Sequence, residues 1–98
     1  MVTVVTYDIP ENRLRTRIEN HCRDAGLTRV QRSVFRGRPD RKTLEALVER
    51  LDQQIRNQAR CVIQIYLIDE EDFRRHLRLT SQGPIDDNEP TPQEVVVL

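Results

Sequence analysis

Tryptophan is absent and Tyr and Phe together number four, so the core cannot rest on large aromatic anchors and must be assembled from aliphatic side chains. Only three glycines occur, and none forms the glycine-rich loop that cradles a nucleotide phosphate. The two cysteines, Cys22 and Cys61, lie far apart without a CxxC spacing, which excludes a disulfide framework or a zinc site and predicts reduced, buried, structural thiols. No apolar run approaches the roughly 20 residues of a membrane span. Met1 leads directly into β-branched residues rather than into the charged and apolar regions of a secretory leader. These absences predict a cytoplasmic protein with no membrane partner. Ser33 has no GxSxG surroundings, His21 and His76 have no acid-base partner at a telling spacing, and no aromatic doublet provides a base-stacking platform.

What is present is charge. Charged residues are 33% of the 98 and hydrophobics 37%, which predicts one modest two-layer domain. The formal net charge is zero, yet the two signs are segregated. Residues 13 to 42 hold ten Lys or Arg against Glu19, Asp24 and Asp40, whereas residues 82 to 98 hold four acids and no base. A polyanion is therefore to be met by one face only. Fifteen of the sixteen bases are arginine, which fits either bidentate phosphate contacts or the codon bias of a genome.

VTVVTYD, residues 2 to 8, is β-branched or aromatic almost throughout and predicts a central strand with Asp8 at its C-terminal edge. Pro10 suits a first helical turn, Leu14, Ile18, Cys22 and Ala25 supply a helical stripe, and Gly26 stops the helix. LTRVQRSVFRGR, residues 27 to 38, reads as strand with a bulge or hairpin turn near Ser33. Asp40 is the N-cap expected for a second helix carrying Leu44, Leu47, Val48, Leu51 and Ile55. CVIQIYLI, residues 61 to 68, is apolar on both faces apart from Gln64 and is the natural neighbour of the first strand. A helical piece around Phe73 to His76 and a short edge strand LRLT should follow.

Composition divides the chain into a folded domain, residues 1 to 81, and a tail, residues 82 to 98. The tail is an acidic linker with three prolines, followed by EVVVL, a further strand expected to add to a sheet edge of this chain, a second copy or a partner. The element order predicts an α+β fold of βαββαβ type, a four-stranded antiparallel sheet with both helices on one face. The opposite face would be bare and apolar, and a sheet-to-sheet homodimer would cover it.

One carboxylate is a poor Mg²⁺ or Mn²⁺ site, but a two-fold axis would bring Asp8 opposite the second Asp8. Arg15 and Arg17 could then hold a phosphodiester. From spacing alone the alternative stands that Asp8 caps the following turn and the arginines form a solvated helix face.

The stretch VVTYDIPENRLRTRIENHCRDAGLTRVQRSVFRG, residues 4 to 37, resembles the small CRISPR-associated endoribonuclease family of the spacer-acquisition machinery, the partner of the CRISPR integrase. The likeness rests on the Tyr-Asp ending of the first strand, the spaced arginines, and Arg-Val-Gln-x-Ser-Val-Phe in the second; it extends through IQIYLI. It implies a ferredoxin-like fold, a homodimer joined through its sheets, and one Mg²⁺ or Mn²⁺ shared by the two Asp8 side chains. It also implies a catalytic site of Asp8 with Tyr7 beside it, and nucleic-acid binding by Arg15, Arg17, Arg29, Ser33 at the bend, and Phe35 as a conformational or substrate contact near the dimer cleft. The activity implied is metal-dependent endonucleolytic cleavage of RNA or DNA. The alternatives are a non-catalytic scaffold bridging integrase dimers on prespacer DNA and a toxin-like ribonuclease of the same fold.

Overall fold

The computed structural model describes residues 1 to 85; the acidic linker beyond them and the terminal EVVVL lie outside the described residues. The chain runs β1 (Val2–Asp8), α1 (Asn12–Asp24), β2 (Thr28–Gln31), β3 (Val34–Gly37), α2 (Arg41–Ile55) and β4 (Val62–Ile68). α3 (Glu70–Arg74), β5 (Arg78–Thr80) and β6 (Gly83–Ile85) follow. The first six elements form the expected βαββαβ fold around a four-stranded antiparallel sheet ordered β2-β3-β1-β4.

Period-two alternation decides what the sheet buries. Val5 and Tyr7 of β1 and Phe35 of β3 join Leu14, Ile18 and Cys22 of α1 and Leu47 and Leu51 of α2 in one core, with Ile63 and Ile65 of β4 packed against it. The other face takes the alternate residues. There Val62 and Tyr66 remain 50% and 48% exposed, which is the bare apolar strip expected of a sheet with helices on one side only. Cys22 is buried and free, and burial pushes its thiol up to about 11.

The helix starts differ from the sequence reading in one respect. Pro10 precedes α1 instead of opening it, because Glu11 is the N-cap: its carboxylate accepts from the N–H of Leu14 at 2.8 Å and of Arg13 at 2.9 Å. Asp40 caps α2 as expected, accepting from Thr43 N–H at 2.8 Å. Both carboxyls are held below their ordinary values by the backbone N–H groups they accept from. The stabilisation from Glu11 is therefore present above its ordinary pKa of 4.5 and is lost as pH falls through the depressed native value. The thermal midpoint should fall as the pH drops below 4.5, with a shallower acid slope in Glu11→Gln, as measured by circular dichroism melts.

Gly26, at φ +88°, closes α1: its N–H donates to Arg23 O at 2.9 Å and Leu27 N–H donates to Cys22 O at 3.0 Å, the paired bonds of a Schellman ending. β2 and β3 then form a hairpin with both expected irregularities. The register slips between Arg29 and Gln31, and the turn carries Ser33 at φ 65°. Gly37 ends β3 against the chain that follows α1; a Cβ there would lie 2.7 Å from Leu27 Cδ2 and 3.2 Å from Leu27 Cα. Leu27 is buried and its backbone cannot retreat, so Gly37→Ala should cost about 1–3 kcal/mol in a thermal or urea melt.

The chain divides into two compact units, Met1–Leu67 and a second beginning at Ile68. In the second unit the short helix lies earlier than expected, over Glu70–Arg74 instead of around Phe73 to His76, and the LRLT segment forms β5 from Arg78. Residues 83 to 85, assigned by composition to the linker, instead form β6, paired antiparallel with β5 through Leu79↔Pro84 and Thr80↔Gly83. A two-stranded edge tolerates proline because one side of each strand needs no ladder N–H.

Candidate functional site

β1 ends where its alternation sends Thr6 and Asp8 to the open face and Tyr7 to the helix layer. Asp8 is exposed, and among the described residues its carboxylate makes no hydrogen bond or ion pair. It lies in a cleft of about 290 Å³ lined by Thr6, Tyr7, Asp8, Val62 and Gln64. Among the described residues no group of three or more His, Cys, Asp and Glu side chains is placed to hold a metal. One protomer therefore offers a single hard oxygen donor set, an open carboxylate flanked by polar Thr6 and Gln64. That suits a largely hydrated Mg²⁺, which takes one or two carboxylates and fills its remaining positions with water.

Tyr7 borders the same cleft, but its hydroxyl is turned to the helix layer. Its hydroxyl donates to Glu19 Oε2 of α1 at 2.7 Å, and Glu19 is in turn 3.6 Å from Arg29 Nη2 of β2. Burial, then the hydrogen bond and the negative charge of Glu19, raise the Tyr7 phenol far above its ordinary value. Tyr7 thus lines the Asp8 cleft while its hydroxyl is directed to Glu19. Phe35 is fully buried, its ring 6.1 Å from that of Tyr7, with the Arg23 guanidinium 5.4 Å from its centroid. In the protomer it offers no surface to a nucleic acid.

Arg15 does not share a face with Arg13 and Arg17, because positions two apart on a helix point about 200° away from each other. Arg15 turns back onto the segment before its own helix: Nη1 donates to Ile9 O at 2.8 Å and lies 3.5 Å from Pro10 O, and Nη2 donates to Asn12 Oδ1. Arg17 is exposed and donates through Nε to Gln54 Oε1 of α2 at 3.0 Å. Arg29 is 43% exposed and shares its charge with Glu19. Ser33 acts through its backbone, its carbonyl accepting from Tyr7 N–H at 3.1 Å and tying the hairpin turn to the end of β1.

Glu19 is the residue that sequence reasoning overlooked, counted there merely as an acid among bases. The signal lay in β1: a tyrosine on the inward register needs a partner for its hydroxyl, and Glu19 borders the buried stripe of the helix above it.

The family model described as "CRISPR associated protein Cas2" matches residues 1–76, from β1 through α3. A CRISPR-associated endoribonuclease Cas2 of Pyrobaculum aerophilum is 37% identical over 84 residues, covering 86% of this chain and 91% of that protein. A CRISPR-associated endonuclease Cas1/endonuclease Cas2 fusion of Thermoproteus tenax is 34% identical over 84 residues, 86% of this chain; the match spans only 31% of the fusion's length. The crystal structure of Streptococcus pyogenes Cas2 at pH 6.5 superposes with a TM-score of 0.67 at 31% identity, over 82% of this chain and all of that one. With the family model matched over most of its length and the same fold in a solved relative, the chain belongs to the CRISPR-associated protein Cas2 family.

Proposed function

We propose that this protein is a CRISPR adaptation nuclease that acts as a homodimer, two protomers meeting through their open sheet faces with their Asp8 carboxylates sharing one Mg²⁺ or Mn²⁺. The observation that carries the reading is the pairing of an exposed, uncommitted carboxylate with a half-exposed apolar strip, Val62 and Tyr66, on the same face of the sheet. A symmetric contact covers that strip and supplies the second carboxylate that one chain lacks. When bound, the ion supplies a water of lowered pKa and offsets charge on a phosphodiester. Arg17, hydrogen-bonded to the neutral Gln54, offers an exposed charge to a phosphate, while Arg29 offers a charge partly offset by Glu19. Neither arrangement reads base edges, so binding is expected to be sequence-independent and strongly salt-dependent.

The names of the relatives, endoribonuclease and endonuclease, support cleavage, and the Thermoproteus fusion, which joins a Cas1 endonuclease to a Cas2 endonuclease in one chain, supports an integrase partner. The test is cleavage of RNA and of duplex DNA by wild type and Asp8→Ala, each with Mg²⁺ and with EDTA at fixed salt. Cleavage that needs both the metal and Asp8 upholds the nuclease. Two inert proteins that bind duplex equally would make the chain a scaffold holding prespacer DNA for the integrase, a reading favoured by the absence of a free general base beside Asp8 among the described residues.

A further inference from the structure

Asp8 is uncommitted, but the residues on both sides of it are tied down. On its N-terminal side Tyr7 is held through its backbone N–H by Ser33 O and through its hydroxyl by Glu19. On its C-terminal side Ile9 is buried in the core, and its carbonyl accepts from Arg15 Nη1 at 2.8 Å. The same guanidinium reaches Pro10 O at 3.5 Å and, through Nη2, Asn12 Oδ1. Two carbonyls of the β1–α1 connection, from residues 9 and 10, and the side chain of Asn12, the first residue of α1, therefore face one half-buried fork. This use of a guanidinium differs from a phosphate contact, which needs the donor edge free and turned to solvent.

From this geometry we infer that Arg15 is a positioning residue, which with Asn12 locks the connection after β1 and so fixes the place of the Asp8 carboxylate, and that Arg15 does not contact nucleic-acid phosphate. The inference rests on the metal-holding reading of Asp8 for its consequence, but the commitment of Arg15 stands on its own contacts. A carboxylate at a strand end, with a proline two residues on, has no ladder partner to fix its direction beyond β1. The fork supplies that restraint from inside the chain. Lysine cannot replace it, because a single ammonium on a flexible stem cannot span carbonyls at residues 9 and 10 and the amide oxygen at residue 12 at once. A phosphate contact, by contrast, tolerates lysine, since the charge is kept.

The difference is measurable on the full chain with Mn²⁺ as the metal probe and a duplex of about 30 base pairs as the polyanion. Mn²⁺ affinity is measured by titration calorimetry, and duplex affinity is followed from low to moderate salt, for wild type, Arg15→Lys, Arg15→Ala, Asn12→Ala and Asp8→Ala. Arg15→Lys is expected to weaken Mn²⁺ binding by about tenfold, and Asn12→Ala, which leaves every charge in place, by a smaller factor in the same direction. The dependence of log K on log salt should keep its wild-type slope in both; loss of one phosphate contact lowers that slope by about 0.9. An Arg15→Ala variant whose slope falls by that amount, or an Arg15→Lys variant that binds Mn²⁺ as wild type does, overturns the inference. Far-UV circular dichroism identifies a variant that has lost its fold, and Asn12→Ala, a surface change outside the core, then carries the comparison. Failure of the underlying reading looks different: Asp8→Ala would bind Mn²⁺ as tightly as wild type. In that event the unchanged slope of Arg15→Ala still upholds, and a reduced slope still overturns, the assignment of Arg15 to the connection.

Discussion

Asp8→Ala is expected to lower metal-dependent cleavage by about 10³-fold, the rate equivalent of roughly 4 kcal/mol of transition-state charge stabilisation. Its effect on folding should be small, within about 0.5 kcal/mol, because Asp8 is exposed and makes no hydrogen bond or ion pair among the described residues. That separation distinguishes it from substitutions that abolish activity by unfolding the chain. The same carboxylate makes a second prediction about assembly. Two Asp8 groups facing each other across a two-fold axis repel when no cation lies between them. EDTA should therefore weaken the wild-type dimer and leave the Asp8→Ala dimer unchanged, read by sedimentation velocity over a range of protein concentration. Equal dimer affinity in both proteins, with and without EDTA, would place the two carboxylates too far apart to share an ion.

The elements that carry this site were legible because their periods were clean. β1 is β-branched without interruption, the stripe of α1 repeats at three and four, and Ser33 broke the strand pattern where the hairpin turns. Asp8 stood out as the first acid after an apolar run. Direction was harder to read than location. Alternation along β1, followed one residue further, already sends Tyr7 away from Asp8, and the helical angle already separates Arg15 from Arg13 and Arg17. Which side chain each then meets depends on contacts distant in sequence, such as Tyr7 with Glu19 and Arg17 with Gln54, and no local pattern encodes those.

Two other features were hidden for local reasons. Glutamate is seldom an N-cap, so Glu11 was passed over in favour of Pro10, although its longer chain reaches both Arg13 N–H and Leu14 N–H. The composition of residues 82 to 94 was read as uniform linker, yet its first residues complete a hairpin with β5. Three-residue strands carry too few positions for a period to show.

Phe35→Ala is the substitution expected to damage the protein most. The residue is wholly buried at the centre of a core with few aromatics, touching the Tyr7 ring on one side and lying under the Arg23 guanidinium on another. Removing a buried phenyl ring costs about 3–5 kcal/mol, a large share of the roughly 5–15 kcal/mol that holds a domain of this size together. The thermal midpoint should fall by about 15 °C or more. Phe35→Leu keeps most of the apolar volume and should cost much less, about 1–1.5 kcal/mol. The pair of variants separates core from contact. If Phe35 acts through packing, nucleic-acid binding follows the folded fraction, and the leucine variant binds as wild type does once folded. If Phe35 instead meets nucleic acid directly, by opening of the dimer cleft, the leucine variant folds normally yet binds measurably more weakly, since a stacked aromatic ring contributes about 1–3 kcal/mol that an aliphatic chain does not replace. Full burial of the ring beneath Arg23 places the expected result with the first of these.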